Sequence, residues 1–247
     1  MRSVDTFIFH AVLIAALAST TATAVQASQA APKLRQDVEQ SLRDDGDLRR
    51  IAVSIAGDEV TLGGSVPHLL AKNRAIQRAL DVDGVETVVS ELILPEQEDD
   101  SELAERVGQV ISRYSFFTIW DYIDGRVEGG VVRLFGSVTP DRDKKGDLYE
   151  AIAEIRGVQD YVDKIEIQST SITDEQLRMT IGRRLASSTH FERTARMRTP
   201  PFHIIVNHSI VTLVGFVQSE IEYREMEQLI RFTRGVLRVD NQLQVVG

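Results

Sequence analysis

The chain has 247 residues with 37 acidic and 28 basic side chains, a formal net charge of −9, and no cysteine. Without sulfur it can hold no thiolate zinc site, disulfide framework, cysteine nucleophile or lipid attached at an N-terminal cysteine. The negative balance argues against nucleic-acid binding by the whole chain, which needs a positive excess to neutralise phosphates, and a 43% apolar, 26% charged composition is that of a folded protein.

Residues 1–27 read as an export signal. Arg2 is the only basic residue among them, an apolar stretch runs from Phe7 to Ala18, and Val25-Gln26-Ala27 places small side chains where a signal peptidase cuts. Cleavage is expected after Ala27, because about a dozen apolar residues fall short of the roughly 20 that a spanning helix needs. The mature chain is therefore expected to be soluble in the periplasm.

The remainder repeats one unit three times. Helical segments are expected at about 33–43, 101–113 and 173–187, with Thr173-x-x-Gln176 resembling a capping box at the start of the third. Each is followed by a period-2 run: Ile51, Val53, Ile55; Ile123, Gly125, Val127; Phe202, Ile204, Val206. Turn residues come next, Gly57-Asp58, Gly129-Gly130 and Asn207-His208-Ser209, and then the pattern V-x-L-x-G-x-V. It comprises Val60, Leu62, Gly64, Val66, then Val132, Leu134, Gly136, Val138, then Val211, Leu213, Gly215, Val217. Two period-2 runs around a turn predict a β-hairpin. The repeated glycine predicts a close approach of a helix backbone. A helical period follows, as in Leu69, Ile76, Leu80 and in Met226, Leu229, Ile230, Thr233. Gly84-Val85, Gly157-Val158 and Gly235-Val236 are then expected to cap these helices, and a last strand closes each unit.

Each unit thus reads as helix, strand, strand, helix, strand, and the three resemble BON domains, a small αββαβ module of bacterial envelope proteins. The expected class is α+β: three tandem units at 28–95, 96–170 and 171–247, each a three-stranded sheet with two helices on one face, leaving the other face and two edges open. Gly125, Tyr161 and an insertion between the first helix and first strand of the third copy depart from the pattern.

Charge is uneven along the chain. Residues 28–95 carry 8 basic and 11 acidic side chains, residues 96–170 carry 9 and 17, and residues 171–247 carry 10 and 8. Only the third unit is positive. Arg183 and Arg184 fall on its first helix, and Arg193, Arg196 and Arg198 lie in its insertion with Phe191 and Met197. Arginines beside apolar side chains suit contact with anionic headgroups; they also suit a solvated loop or a contact with the acidic second unit. The aromatic segment Tyr114, Phe116, Phe117, Trp120, Tyr122 reads as packing between units or as a partner anchor. No glycine-rich phosphate loop, G-x-S-x-G, H-E-x-x-H or S-x-x-K arrangement appears in a convincing context, so no enzyme activity, cofactor or metal is expected.

The resemblance implies a non-enzymatic envelope protein that binds anionic phospholipid and supports envelope integrity under stress. Arg183, Arg184, Phe191, Arg193, Arg196, Met197 and Arg198 would make the contact, with Phe191 or Met197 inserting. The alternative is a periplasmic chaperone or adaptor that captures envelope proteins on open sheet faces and edges.

Overall fold

A computed structural model describes residues 31–195, 197 and 200–247. The expected export signal, Arg196 and Arg198 lie outside the described residues. The chain divides between Pro95 and Glu96 into two compact units.

The first unit runs α1 (31–43), a short 3-10 turn (Gly46–Leu48), β1 (Ala52–Ala56), β2 (Glu59–Ser65), α2 (Leu69–Leu80) and β3 (Thr87–Ile93). The second compact unit contains the same order twice. Its middle segment has α3 (Asp100–Arg113), β4 (Tyr122–Glu128), β5 (Val131–Val138), α4 (Lys144–Ala153) and β6 (Asp160–Ile167). Its last segment has α5 (Ile172–Ala186), the short α6 (Glu192–Ala195), β7 (Phe202–Asn207), β8 (Ile210–Val217), α7 (Glu220–Arg231) and β9 (Arg238–Val245). The class is α+β, with three three-stranded sheets. In each sheet the hairpin is antiparallel and the last strand pairs parallel with the second hairpin strand.

The alternation of the motif explains this arrangement. Val60, Leu62, Val132, Leu134, Val211 and Leu213 are 0% exposed, and each such burial contributes about 1.5–3 kcal/mol. Because V-x-L sits on the central strand, its side chains meet the helices while Glu59, Thr61, Val131 and Arg133 turn the other way.

The repeated glycine has a different cause from the one expected. Gly64, Gly136 and Gly215 have φ of 117°, 129° and 105°. What approaches them is the chain entering the hairpin rather than a helix: a Cβ at Gly136 would lie 2.0 Å from the Tyr122 carbonyl oxygen, and one at Gly215 2.3 Å from that of Pro201. Gly84, Gly157 and Gly235 also do not cap helices. They lie three residues beyond the C-caps Asp81, Glu154 and Phe232, in the turn that follows. The third unit's first helix is capped by Ser171, whose hydroxyl accepts from the Asp174 N–H at 3.1 Å, two residues before the expected Thr173.

Two carboxylates tie first helices to hairpin turns. Asp100 accepts from the N–H groups of Gly129 (2.8 Å) and Gly130 (2.9 Å), and Asp174 from those of His208 and Ser209, both at 2.8 Å. His208 and Ser209 have positive φ (51° and 63°), so the carboxylate holds a turn that resists its own backbone conformation. The amides of Gly130 and Gly129 hold the Asp100 carboxyl below its usual range. Burial works against ionisation of Asp174, but the amides of Ser209 and His208 and the hydroxyls of Ser169 and Ser171 outweigh it and lower its pKa too. A carboxyl with a lowered folded pKa contributes stability that is full above the unfolded value of 3.8 and is lost as pH falls through the folded value. Asp174→Ala is expected to cost about 1–3 kcal/mol at neutral pH, since two turn amides lose their acceptor. Urea midpoints measured against pH check this: the variant's midpoint should fall less steeply than that of the parent chain on acidification below 3.8.

The middle and last segments share a core. Ile119 is 9% exposed and packs with Leu177, Ile181, Phe202 and Ile204 of the last segment, with Trp120 beside them. The Ile204 N–H donates to the Ile119 carbonyl at 2.8 Å. Buried Gln168 donates to the Trp120 carbonyl at 2.6 Å and accepts from the Val206 N–H at 3.3 Å. The free edge of β7 is thereby occupied. Part of the aromatic segment serves this joint, while Phe116 stays exposed under the Arg142 guanidinium, 3.5 Å from its ring centre. Burial lowers the pKa of His203, whose ring lies beside that of Tyr122, against the opposing effect of Asp121 and Thr118.

Candidate functional site

Three segments converge at the β7–β8 turn of the last unit. Asp174 brings the start of α5 to the turn, and the Leu237 N–H donates to the Ser209 carbonyl at 2.9 Å, bringing the α7–β9 connection to it as well. On these segments stand Leu237 (80% exposed), Ile172 (78%) and Phe232 (74%), the most exposed large apolar side chains among the described residues. Arg231, Arg234 and Arg238 are exposed beside Phe232 and Leu237. Arg231 pairs with Glu227; Arg234 and Arg238 make no ion pair among the described residues. Phe232 also borders a shallow groove of about 390 Å³ lined by Arg184, Ser187, Ser188, Glu225, Gln228 and Leu229.

Single exposed apolar residues are ordinary, but Phe232 and Leu237 on one connection that also carries the exposed Arg234 and Arg238 give it a composition that suits contact with something both apolar and anionic. The other two copies sharpen the point. Where the third unit has Phe232, Arg234, Leu237 and Arg238, the first has Asp81, Asp83, Glu86 and Thr87, and the second Glu154, Arg156, Gln159 and Asp160. The positions are structurally equivalent, since Glu86 and Gln159 donate to the turn carbonyls of Asp58 and Gly130 as Leu237 does to Ser209. Counted from the turn-gripping aspartate, Ile172 likewise stands where the middle segment has Glu98, which pairs with Arg106 and Arg156. An acidic or polar end has become apolar and basic in the third copy alone.

The residues expected from sequence are divided. Arg183 and Arg193 are exposed, as is Met197 at 43%. Arg184 is half-buried and donates to the Thr233 hydroxyl at 2.9 Å, which places it beside Phe232. Phe191 requires a correction: it is 1% exposed, packed edge-to-face on Phe202 at 5.7 Å, and so cannot insert into a bilayer. It joins the insertion to the core that Leu185 and Phe202 also belong to. Ile172, Phe232, Leu237, Arg231, Arg234 and Arg238 were not expected. Aligning the three copies on their Gly-Val pairs is the signal that finds four of them.

The sequence profile of the BON domain family matches residues 31–96 and 173–247, more than half of the chain. BON domains are in general envelope-associated, non-catalytic binding domains of the phospholipid-binding type. The chain belongs to the BON domain family. The intervening segment has the same strand order and pairing. No curated protein matches the sequence. Two solved structures of CdsD, a structural protein of the type III secretion system of Chlamydia trachomatis, are similar at TM-score 0.24. One, its C-terminal domain, is 12% identical and covers 86% of this chain and 96% of its own; the other is 13% identical and covers 87% and 92%. Among the described residues, no helix is long and apolar enough to cross a membrane.

Proposed function

We propose that this is an exported, non-enzymatic envelope protein of three BON units, at 28–95, 96–170 and 171–247 behind a 27-residue signal, that binds anionic phospholipid surfaces and supports envelope integrity under stress. The observation that carries this reading is the apolar and basic end of the third unit. Arg231, Arg234 and Arg238 attract headgroup phosphates while Phe232, Leu237 and Ile172 enter the interface. Arg183, Arg184, Arg193, Arg196 and Arg198, with Met197, add to the contact from α5 and the insertion. Each arginine near the surface contributes about 1 kcal/mol, and each apolar side chain up to about 1.5–3 kcal/mol when fully buried, so charge and insertion both contribute to the association.

The test is co-sedimentation of residues 28–247 with anionic and zwitterionic vesicles at low and moderate salt. Binding is expected on anionic vesicles only, and it weakens as salt screens the charges. The triple variant Arg231→Ala, Arg234→Ala, Arg238→Ala is expected to lose about tenfold or more in affinity. Equal binding to both vesicle types, or none, contradicts the reading. The rival reading, capture of proteins at sheet edges, is less well supported in the second compact unit, because Ile119 and Gln168 occupy the β7 edge.

A further inference from the structure

In an edge strand, alternate backbone N–H and C=O groups face away from the sheet, ready to pair with another strand unless something closes them. The last strands of the three sheets are equivalent at one position. Ser90 pairs with Leu62, Asp163 with Leu134 and Asn241 with Leu213, the motif leucine each time. In β6 the Asp163 carboxylate folds along its own strand and accepts from the Ile165 N–H at 2.8 Å, and Asp160 accepts from the Tyr161 N–H at 2.8 Å. In β9 the Asn241 side-chain oxygen accepts from the Leu243 N–H at 3.2 Å. Both strands therefore close outward amides with their own side chains.

The corresponding side chain in β3 is the shorter Ser90, whose hydroxyl is buried and has no hydrogen-bond partner among the described residues. Thus β3 lacks the closure that its two counterparts have. On its uncovered face Val89 is 38% and Ile93 67% exposed. The opposite edge of this sheet, β1, has only five residues and presents Ala52, Ser54 and Ala56 on that face.

We propose that β3 pairs with the β3 strand of a second copy of this chain, antiparallel about a two-fold axis at Ser90, joining two three-stranded sheets into one of six strands. Three features fix this register. Ser90 is the midpoint of Thr87–Ile93, so every residue of the strand finds a partner. The outward backbone groups belong to Val88, Ser90 and Leu92, equivalent to the closed positions of β6 and β9. Centring on Ser90 sets Ser90 against its own copy and Val88 against Leu92 as hydrogen-bonded pairs. On the uncovered face Val89 lies opposite Glu91 and Thr87 opposite Ile93, so no carboxylate faces another, whereas a centre at Glu91 would oppose two of them. The two Ser90 hydroxyls meet at the axis, and each gains the partner it lacks. The contact is isologous, as a closed dimer requires, and it needs no lipid.

Sedimentation equilibrium of residues 28–247 without lipid is expected to show a monomer–dimer equilibrium. Ser90→Asn, which installs the residue that closes β9, and Val89→Lys, which charges the edge, should each weaken the dimer about tenfold or more while the circular dichroism of the folded chain stays that of the parent. Because the chain has no cysteine, Ser90→Cys puts a single thiol on the axis. A Cα separation of about 5.5 Å in such a pair lies within disulfide range, so mild oxidation should give a covalent dimer, while Asp163→Cys at the equivalent position of β6 stays monomeric. A chain that is monomeric at every concentration overturns the proposal. So does a dimer indifferent to both edge variants, or cross-linking as efficient through residue 163 as through residue 90.

Discussion

Asp121→Ala is expected to destabilise the second compact unit by about 3–5 kcal/mol, the cost of stripping one partner from a buried ion pair. The side chains of Asp121 and Lys144 are both 0% exposed. The carboxylate accepts from Lys144 at 2.9 and 3.0 Å, and from the amides of Thr118 and Thr139 at 2.9 and 2.8 Å. Without it the ammonium keeps only Thr139 and the half-exposed Asp141. The effect should reach beyond the middle segment, because the turn that Asp121 fixes leads directly from Ile119 and Trp120, which pack into the last segment's core. Asp121→Leu combined with Lys144→Met should recover the share of the loss that comes from the uncompensated ammonium, but not what the Thr118 and Thr139 amides lose with their acceptor. Urea unfolding followed by circular dichroism measures both. A single variant within about 1 kcal/mol of the parent chain would show that the pair is not what holds the joint.

Phe191→Ala is expected to cost about 3–5 kcal/mol, as large core truncations do, and to leave the vesicle affinity of the folded protein unchanged. Phe232→Ala should do the reverse. It removes a side chain that is 74% exposed, so stability should move by no more than about 0.5 kcal/mol, while binding to anionic vesicles falls. Paired melts and vesicle titrations separate the two residues: one belongs to the core, the other to the surface. If Phe191→Ala retains its melting temperature and loses binding, the assignment of the two phenylalanines is inverted.

The repeat made the architecture legible, because V-x-L-x-G-x-V and the Gly-Val pair record strand period, turn and close approach at fixed distances. The motif glycines Gly64, Gly136 and Gly215 are crowded, as expected, but by the chain entering the hairpin rather than by a helix, and Gly84, Gly157 and Gly235 lie in turns beyond the helix caps expected of them. Period identifies a crowded strand position without saying whether a helix or the incoming strand crowds it, and only the positive φ of Gly136 and the Tyr122 carbonyl resolve that. Phe191 misled for a related reason. An aromatic among arginines in an insertion looks exposed when judged by its neighbours in sequence, yet Phe202 and Leu185, its neighbours in space, bury it. The turn end of the third unit was hidden because its members lie on three segments, and convergence there depends on Asp174 holding the turn. The substitution of Phe232 and Leu237 for the acids of the first copy was nevertheless present in the residues all along.

The most direct test of the central claim is an environment-sensitive fluorophore on a single introduced cysteine, which a chain with no native cysteine permits without further change. Leu237→Cys, Met197→Cys and Ile93→Cys, labelled separately in residues 28–247, are titrated with anionic vesicles. The label at 237 is expected to shift to the blue as it leaves water, with a smaller shift at 197 and none at 93. A shift at 93 with none at 237, or no shift at any position while the protein still sediments with the vesicles, would contradict the placement of lipid contact at the third unit's turn end.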